Sequence, residues 1–164
     1  MNQYQKAFLE RYLATLPVTS STAGRAFSAG YYCDNQQEAN LCASLILAGK
    51  KRATSSLYEG YVRAGLSLPK KGDLHVVTDW QGCPVCVVEV TSVNRCRFID
   101  VTEAFAEQEG EGDGSLAWWR EAHWDFFTRE CYSLGVQPSE EMALVLECFE
   151  VVYPRRESMN HDKG

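Results

Sequence analysis

A chain of 164 residues that is 45% hydrophobic and 23% charged has the make-up of one folded domain, which excludes a disordered or fibrous protein. Its formal net charge of −6 repels a phosphate backbone. Tight non-specific nucleic-acid binding is therefore disfavoured, while a small basic mouth around a nucleoside or a short RNA stays open.

Residues 3–16 place Phe8, Tyr12 and Leu16 at helical spacing among charged neighbours, which predicts an amphipathic helix. With no long apolar run, this segment is read neither as a signal peptide nor as a membrane span. The expected compartment is cytoplasmic, and the seven cysteines are expected as free thiols, most of them buried as small hydrophobes. Residues 17–32, rich in Ser, Thr, Gly and Ala, read as an ordered loop. Asp34 with Gln37 resembles a helix N-cap and its reciprocal partner. The helix it opens runs to about Ala48, with Leu41, Cys42, Leu45 and Ile46 as its buried stripe and Gly49 as its stop.

A short helix is expected over 57–64, closed by Gly65, and a turn at Pro69-Lys70-Lys71-Gly72-Asp73 introduces a strand over 74–79. Residues 85–93 form a β-prone return strand and 95–98 a third. A helix over 102–108, capped by Asp100, leads into the acidic loop Glu109-Gly110-Glu111-Gly112-Asp113-Gly114. Ser115 caps the longest helix, 116–134, which stops at Gly135. The last strand, 142–153, is apolar on both faces and so central, and the tail from Pro154 is polar and expected to be flexible. The pattern is α+β with a mainly antiparallel sheet.

Three places invite chemistry. Lys50, Lys51 and Arg52 follow a helix C-terminus, where cations are favourable without any function. A sharper reading pairs Lys51 with Thr54: a lysine desolvated in a pocket has a lowered pKa and can take the proton of a threonine hydroxyl. In a regular strand residues three apart face opposite sides, so the two converge only if the backbone bends between them. The second place is the acidic set Glu107, Glu109, Glu111 and Asp113. Such a run is normally a solvated surface, but one carboxylate facing a pocket could shuttle protons, and spacing does not choose which. The third is Cys83-Pro84-Val85-Cys86. Zinc needs a second pair of ligands, no other Cys pair or Cys/His knuckle is present, and these cysteines open a strand, so hairpin packing is the reading and no metal is expected. His75, His123 and His161 lack ligand spacing, and His123 reads as a hydrogen-bonded core histidine.

The run Ile46-Leu47-Ala48-Gly49-Lys50-Lys51-Arg52-Ala53-Thr54 resembles the helix-to-strand signature of the ASCH superfamily. Lys71-Gly72-Asp73-Leu74, Val87-Val88-Glu89-Val90-Thr91 and the segment from Glu109 through Ser115, Trp119, His123 and Phe126-Phe127 are similar to its following elements. The resemblance implies a PUA-like β-barrel flanked by helices. An N-terminal helical extension over 1–33, an ASCH domain over 34–153 and a tail over 154–164 are the expected divisions. It further implies a hydrolase: some small bacterial members are amidohydrolases of N4-acetylcytidine. Carried over, their working residues fall on Lys51, Thr54 and Glu109, with Arg52, Ser55, Tyr58, Glu111, Asp113 and Trp119 as candidate substrate-binding residues. The implied partner is a nucleoside or short RNA, with no cofactor, metal or membrane. An RNA-binding module or ribonuclease is the alternative, requiring a continuous basic groove from Lys50, Arg52, Arg63, Lys70, Lys71, Arg95, Arg97 and Arg120. The N-terminal extension and the long helix after the acidic loop depart from the smallest amidohydrolases and bear on substrate choice.

Overall fold

The computed structural model describes residues 1–155, so His161 and all but the first two residues of the expected tail lie outside the described residues. Helix α1 (Gln3–Leu13) starts at a reciprocal cap, Asn2 accepting from the Gln5 amide while the Gln5 side chain accepts from that of Asn2. Strand β1 (Phe27–Gly30) follows, then α2 (Gln36–Leu47), β2 (Ala53–Leu57), α3 (Tyr58–Ala64), β3 (Leu74–Thr78) and β4 (Pro84–Arg97). After a 3₁₀ turn come α4 (Glu103–Glu109), α5 (Leu116–Leu134) and β5 (Ala143–Tyr153).

The five strands lie in the order β1-β3-β4-β5-β2, with β1 parallel to β3 and the remaining neighbours antiparallel. This corrects the expected barrel: the short strands β1 and β2 stand at opposite edges and the sheet is open. The stretch read as a loop supplies β1, whose Phe-Ser-Ala-Gly sequence lacks the β-branched run that advertises a strand. The separate strand expected at 95–98 is instead the end of β4, which stays paired with β5 from Val87 to Arg97 through two register shifts that bend it.

Helices cover both faces of β3: Leu74 and Val76 pack with Leu9 and Tyr12 of α1, while Val77 packs with Ala43 and Ile46 of α2. A third cluster joins Ala53 and Leu57 of β2 and Leu144 of β5 to Phe105, Trp119 and Phe127. It docks α4 and α5 beside the β2 edge. Cys86 sits in the sheet core and Cys83 on the surface, as befits a strand entering a hairpin. Two caps differ from expectation. Asn35, not Asp34, caps α2, and Asp34 pairs with Arg129 at 2.9 Å. Thr102 caps α4, and Asp100 pairs with Arg97 at 2.7 Å.

Candidate active site

The end of α2 delivers Lys51. Gly49 takes a left-handed conformation (φ 75°) after the C-cap, and the amides of Lys50 and Lys51 both turn back to the Leu45 carbonyl. Lys51 therefore sits in the turn before β2 and escapes the strand alternation, so its side chain and that of Thr54 line one cavity of about 360 Å³. That volume suits a small organic ligand. Thr54 is the second residue of β2 and stands opposite Glu147 of β5. Among the described residues its hydroxyl makes no hydrogen bond.

The acidic loop reaches Lys51 because of its glycines. Gly110 (φ 65°) presses against the Lys50 carbonyl so closely that a Cβ would lie 2.2 Å from that oxygen. Glu109 and Glu111, on either side of it, then grip the same ammonium: Lys51 Nζ donates to Glu109 Oε1 at 3.2 Å and to Glu111 Oε2 at 3.1 Å. The side chains of Lys51 and Glu109 are each 2% exposed and that of Glu111 is 17%. Gly112 likewise admits the Trp118 ring where any side chain would collide.

The second oxygen of Glu109 is the most heavily solicited atom of the site. It accepts from Ser55 Oγ at 3.0 Å and from Trp119 Nε1, and His123 Nε2 lies 3.3 Å away. His123 stacks on Trp119 one turn earlier in α5, with ring centroids 4.3 Å apart. Its Nδ1 is 2.9 Å from the Trp119 carbonyl, which can only accept, so Nδ1 carries a proton. Nε2 then faces two carboxylates, and a second proton there is favoured: burial opposes charge on the ring, but Glu109 and Glu111 outweigh it and raise its pKa.

The same contest sets the other charges. Burial disfavours an ionised Glu109, yet Lys51, His123 and the Trp119 N–H bring its pKa down to about 2. Burial likewise disfavours charged Lys51, yet Glu109 and Glu111 raise its pKa above that of an ordinary lysine. This reverses the lowered lysine pKa expected from desolvation alone. In the resting cavity Lys51 is an ammonium.

Lys51, Thr54, Ser55, Glu109 and Glu111 therefore meet in the cavity wall, with Trp119 buried behind Glu109. Arg52, Tyr58 and Asp113 lie elsewhere. The Arg52 side chain is exposed along a separate cleft with Gly49 and Phe149, while its backbone amide holds the Gln108 carbonyl at 2.8 Å. Tyr58 carries the Arg95 guanidinium 3.6 Å above its ring. Asp113 accepts from the Ser115 amide at 2.9 Å ahead of α5. His123, Cys33 and Cys42 also line the cavity and were not picked out as site residues by sequence. For His123 the available signal was its place four residues after Trp119. Among the described residues, two groups bring donor atoms close enough for one metal ion, Cys33 with Cys42 and Glu111, and Glu109 with Glu111 and His123.

The family model for the ASCH domain matches residues 28–153. The chain belongs to the ASCH domain family. An ASCH domain from Lactobacillus crispatus JV V101, known from a high-resolution crystal structure, is similar at 49% identity and a TM-score of 0.89, over 93% of this chain and 96% of that one. A protein from Enterococcus faecalis V583 is similar at 25% identity and a TM-score of 0.80, over 100% of this chain and 99% of that one. A comparison with curated proteins finds no match. No helix among the described residues of this ASCH protein is long and apolar enough to cross a membrane.

Proposed function

We propose that this ASCH domain is an amidohydrolase acting on an acylated pyrimidine nucleoside such as N4-acetylcytidine. The observation that carries the reading is a buried lysine clamped between two carboxylates in a ligand-sized cavity, which is also lined by a threonine whose hydroxyl makes no hydrogen bond among the described residues.

A guest that seals the mouth removes water from the ion pair, and in a drier cavity two opposite charges gain from becoming neutral. One proton crossing 3.2 Å from Lys51 Nζ to Glu109 Oε1 produces a free amine and a carboxylic acid together. The amine takes the Thr54 proton as its oxygen attacks the acyl carbonyl. The acid protonates the departing exocyclic nitrogen, which leaves as the amine of the base. Water then attacks the acyl-threonine ester, its proton passing to the Glu109 carboxylate while the Lys51 ammonium returns a proton to the departing Thr54 oxygen. The acyl group leaves as the free acid, and transfer of the Glu109 proton back to Lys51 restores the ion pair. Tyr32, Trp118 and Phe126 line the same cavity, and aromatic rings are suited to contact a pyrimidine.

The charge of the wall favours a free nucleoside over a polymer. Glu38, Glu109, Glu111 and Asp125 outnumber Lys51, Arg129 and a protonated His123 there by four to three, which gives a string of phosphates no basic track to follow. Three of the five arginines named for a basic groove are engaged elsewhere: Arg63 with Glu59 at 2.7 Å, Arg97 with Asp100 at 2.7 Å and Arg120 with the Ile99 carbonyl at 3.3 Å.

Incubation of the purified protein with N4-acetylcytidine and a panel of acylated cytidines tests the reading. Release of free base-amine nucleoside is expected, abolished by Thr54→Val and retained by Ser55→Ala. No turnover across the panel overturns the proposal. Loss in Ser55→Ala with retention in Thr54→Val transfers the nucleophile to Ser55.

A further inference from the structure

Three chain segments far apart in sequence bring soft and hard donor atoms together on one side of the cavity. Cys42 lies on the buried face of α2, Cys33 in the loop after β1, and Glu111 in the loop after α4. Cys33 has φ 72°, a left-handed conformation that a residue with a side chain adopts only when its surroundings hold it there. The two sulfurs are 3.0 Å apart, and Glu111 Oε1 is 3.2 Å from Cys42 Sγ and 3.9 Å from Cys33 Sγ.

We infer that Cys33, Cys42 and Glu111 form a binding site for a thiophilic divalent cation, zinc being the expected occupant. Bond lengths of about 2.3 Å to sulfur and about 2.0–2.2 Å to a carboxylate oxygen let one ion touch all three atoms once the sulfurs spread from 3.0 Å to the roughly 3.8 Å that tetrahedral zinc requires. Thiolate donors select zinc over magnesium or calcium. All three residues line the cavity, so a fourth position is left open to it. A thiol pair alone would also suit a disulfide, but a disulfide gives no part to the carboxylate oxygen that completes the triangle.

Charge accounting agrees. An incoming ion of charge two displaces the protons of two thiols, which leave through the cavity to solvent, so the net charge facing Lys51 is unchanged. Glu111 links the two centres, with Oε1 toward the sulfurs and Oε2 on Lys51. The cation site stands or falls separately from the proposed reaction.

The full chain, reduced with a phosphine and stripped of metal by a chelator, should take up one zinc ion in calorimetric titration. Proton release of about two per ion should show as a dependence of the heat on the buffer. Cobalt(II) in place of zinc should give a thiolate-to-metal charge-transfer band. Cys33→Ser should weaken zinc binding by about 100-fold or more and remove the band, and Glu111→Gln should weaken it in the same direction, both with an unchanged circular dichroism spectrum. Cys83→Ser, on the surface, should change nothing. No uptake by the reduced protein, uptake without the cobalt band, or equal affinity in Cys33→Ser overturns the inference. Loss in His123→Ala with retention in Cys33→Ser also overturns it, placing the ion between Glu109, Glu111 and His123.

Discussion

Lys51→Met removes the charge that two carboxylates share while keeping an unbranched apolar stem. Glu109, 2% exposed, keeps Ser55, Trp119 and His123 on one oxygen but loses the donor 3.2 Å from the other, and Glu111 loses the donor at 3.1 Å. Removing one partner of a buried ion pair costs about 3–5 kcal/mol because the remaining charge is stranded. Against a total stability of about 5–15 kcal/mol, that is a large fraction. At roughly 2–4 °C per kcal/mol for a chain of this size, the melting temperature should fall by about 6–20 °C. The penalty lies in the stranded charge, so Lys51→Met/Glu109→Gln should recover at least half of it. The sign with pH follows. Glu109 has its pKa lowered from 4.5 to about 2, so the stability it contributes is present above pH 4.5 and is lost as pH falls toward 2. The gap between wild type and Lys51→Met should close over that window. Urea unfolding of the four proteins of the cycle, followed by tryptophan fluorescence, measures the coupling. A single variant within about 1 kcal/mol of wild type, or a double variant that loses the sum of both singles, would refute the reasoning.

Two further predictions address the scaffold around the pair. Gly110→Ala places a Cβ 2.2 Å from the Lys50 carbonyl at a φ of 65°, and should cost at least about 2 kcal/mol and abolish turnover together, as measured by denaturant midpoint and product release. Glu147, opposite Thr54 on β5, has its pKa raised from 4.5 to about 7, chiefly by burial. Its ionisation opposes folding, so that part of the stability is full below pH 4.5 and is lost as pH rises through about 7. Glu147→Gln should leave stability unchanged at about pH 4 and raise it at about pH 8, by at most about 3 kcal/mol and nearer 1 given partial exposure, and equal urea midpoints at both pH values would contradict this.

The helices were legible because their ends carry local chemistry. Ser115 and Gly135 bracket α5, and Gly65 stops α3, by conformational rules that act within one turn. The sheet was legible only in part. β5 and the middle of β4 announce themselves by β-branched runs, whereas β1 is a strand because β3 lies beside it, a cause outside its own four residues. Closure into a barrel would require β1 and β2 to meet, and the strand order separates them by the full width of the sheet.

The site divides along the same line. Lysine, threonine and glutamate could be named from their segments, but the sign of the lysine's pKa shift could not. Burial of an amine, judged alone, points downward. The outcome turned on how many carboxylates arrive, and that is fixed by Gly110: a residue without a side chain lets the acidic loop lie against the Lys50 carbonyl, so that the acids before and after it close on one ammonium. The second carboxylate then has a free oxygen on its far side, where two thiols 9 residues apart in the chain meet it. A spacing rule applied to Cys83 and Cys86 finds neighbours in sequence that part company in the fold, and it passes over Cys33 and Cys42, which α2 and the β1 loop bring into contact. The ammonium, the acid pair and the thiol pair are thus one electrostatic unit hinged on Glu111. A change at any one of them should be felt at the other two.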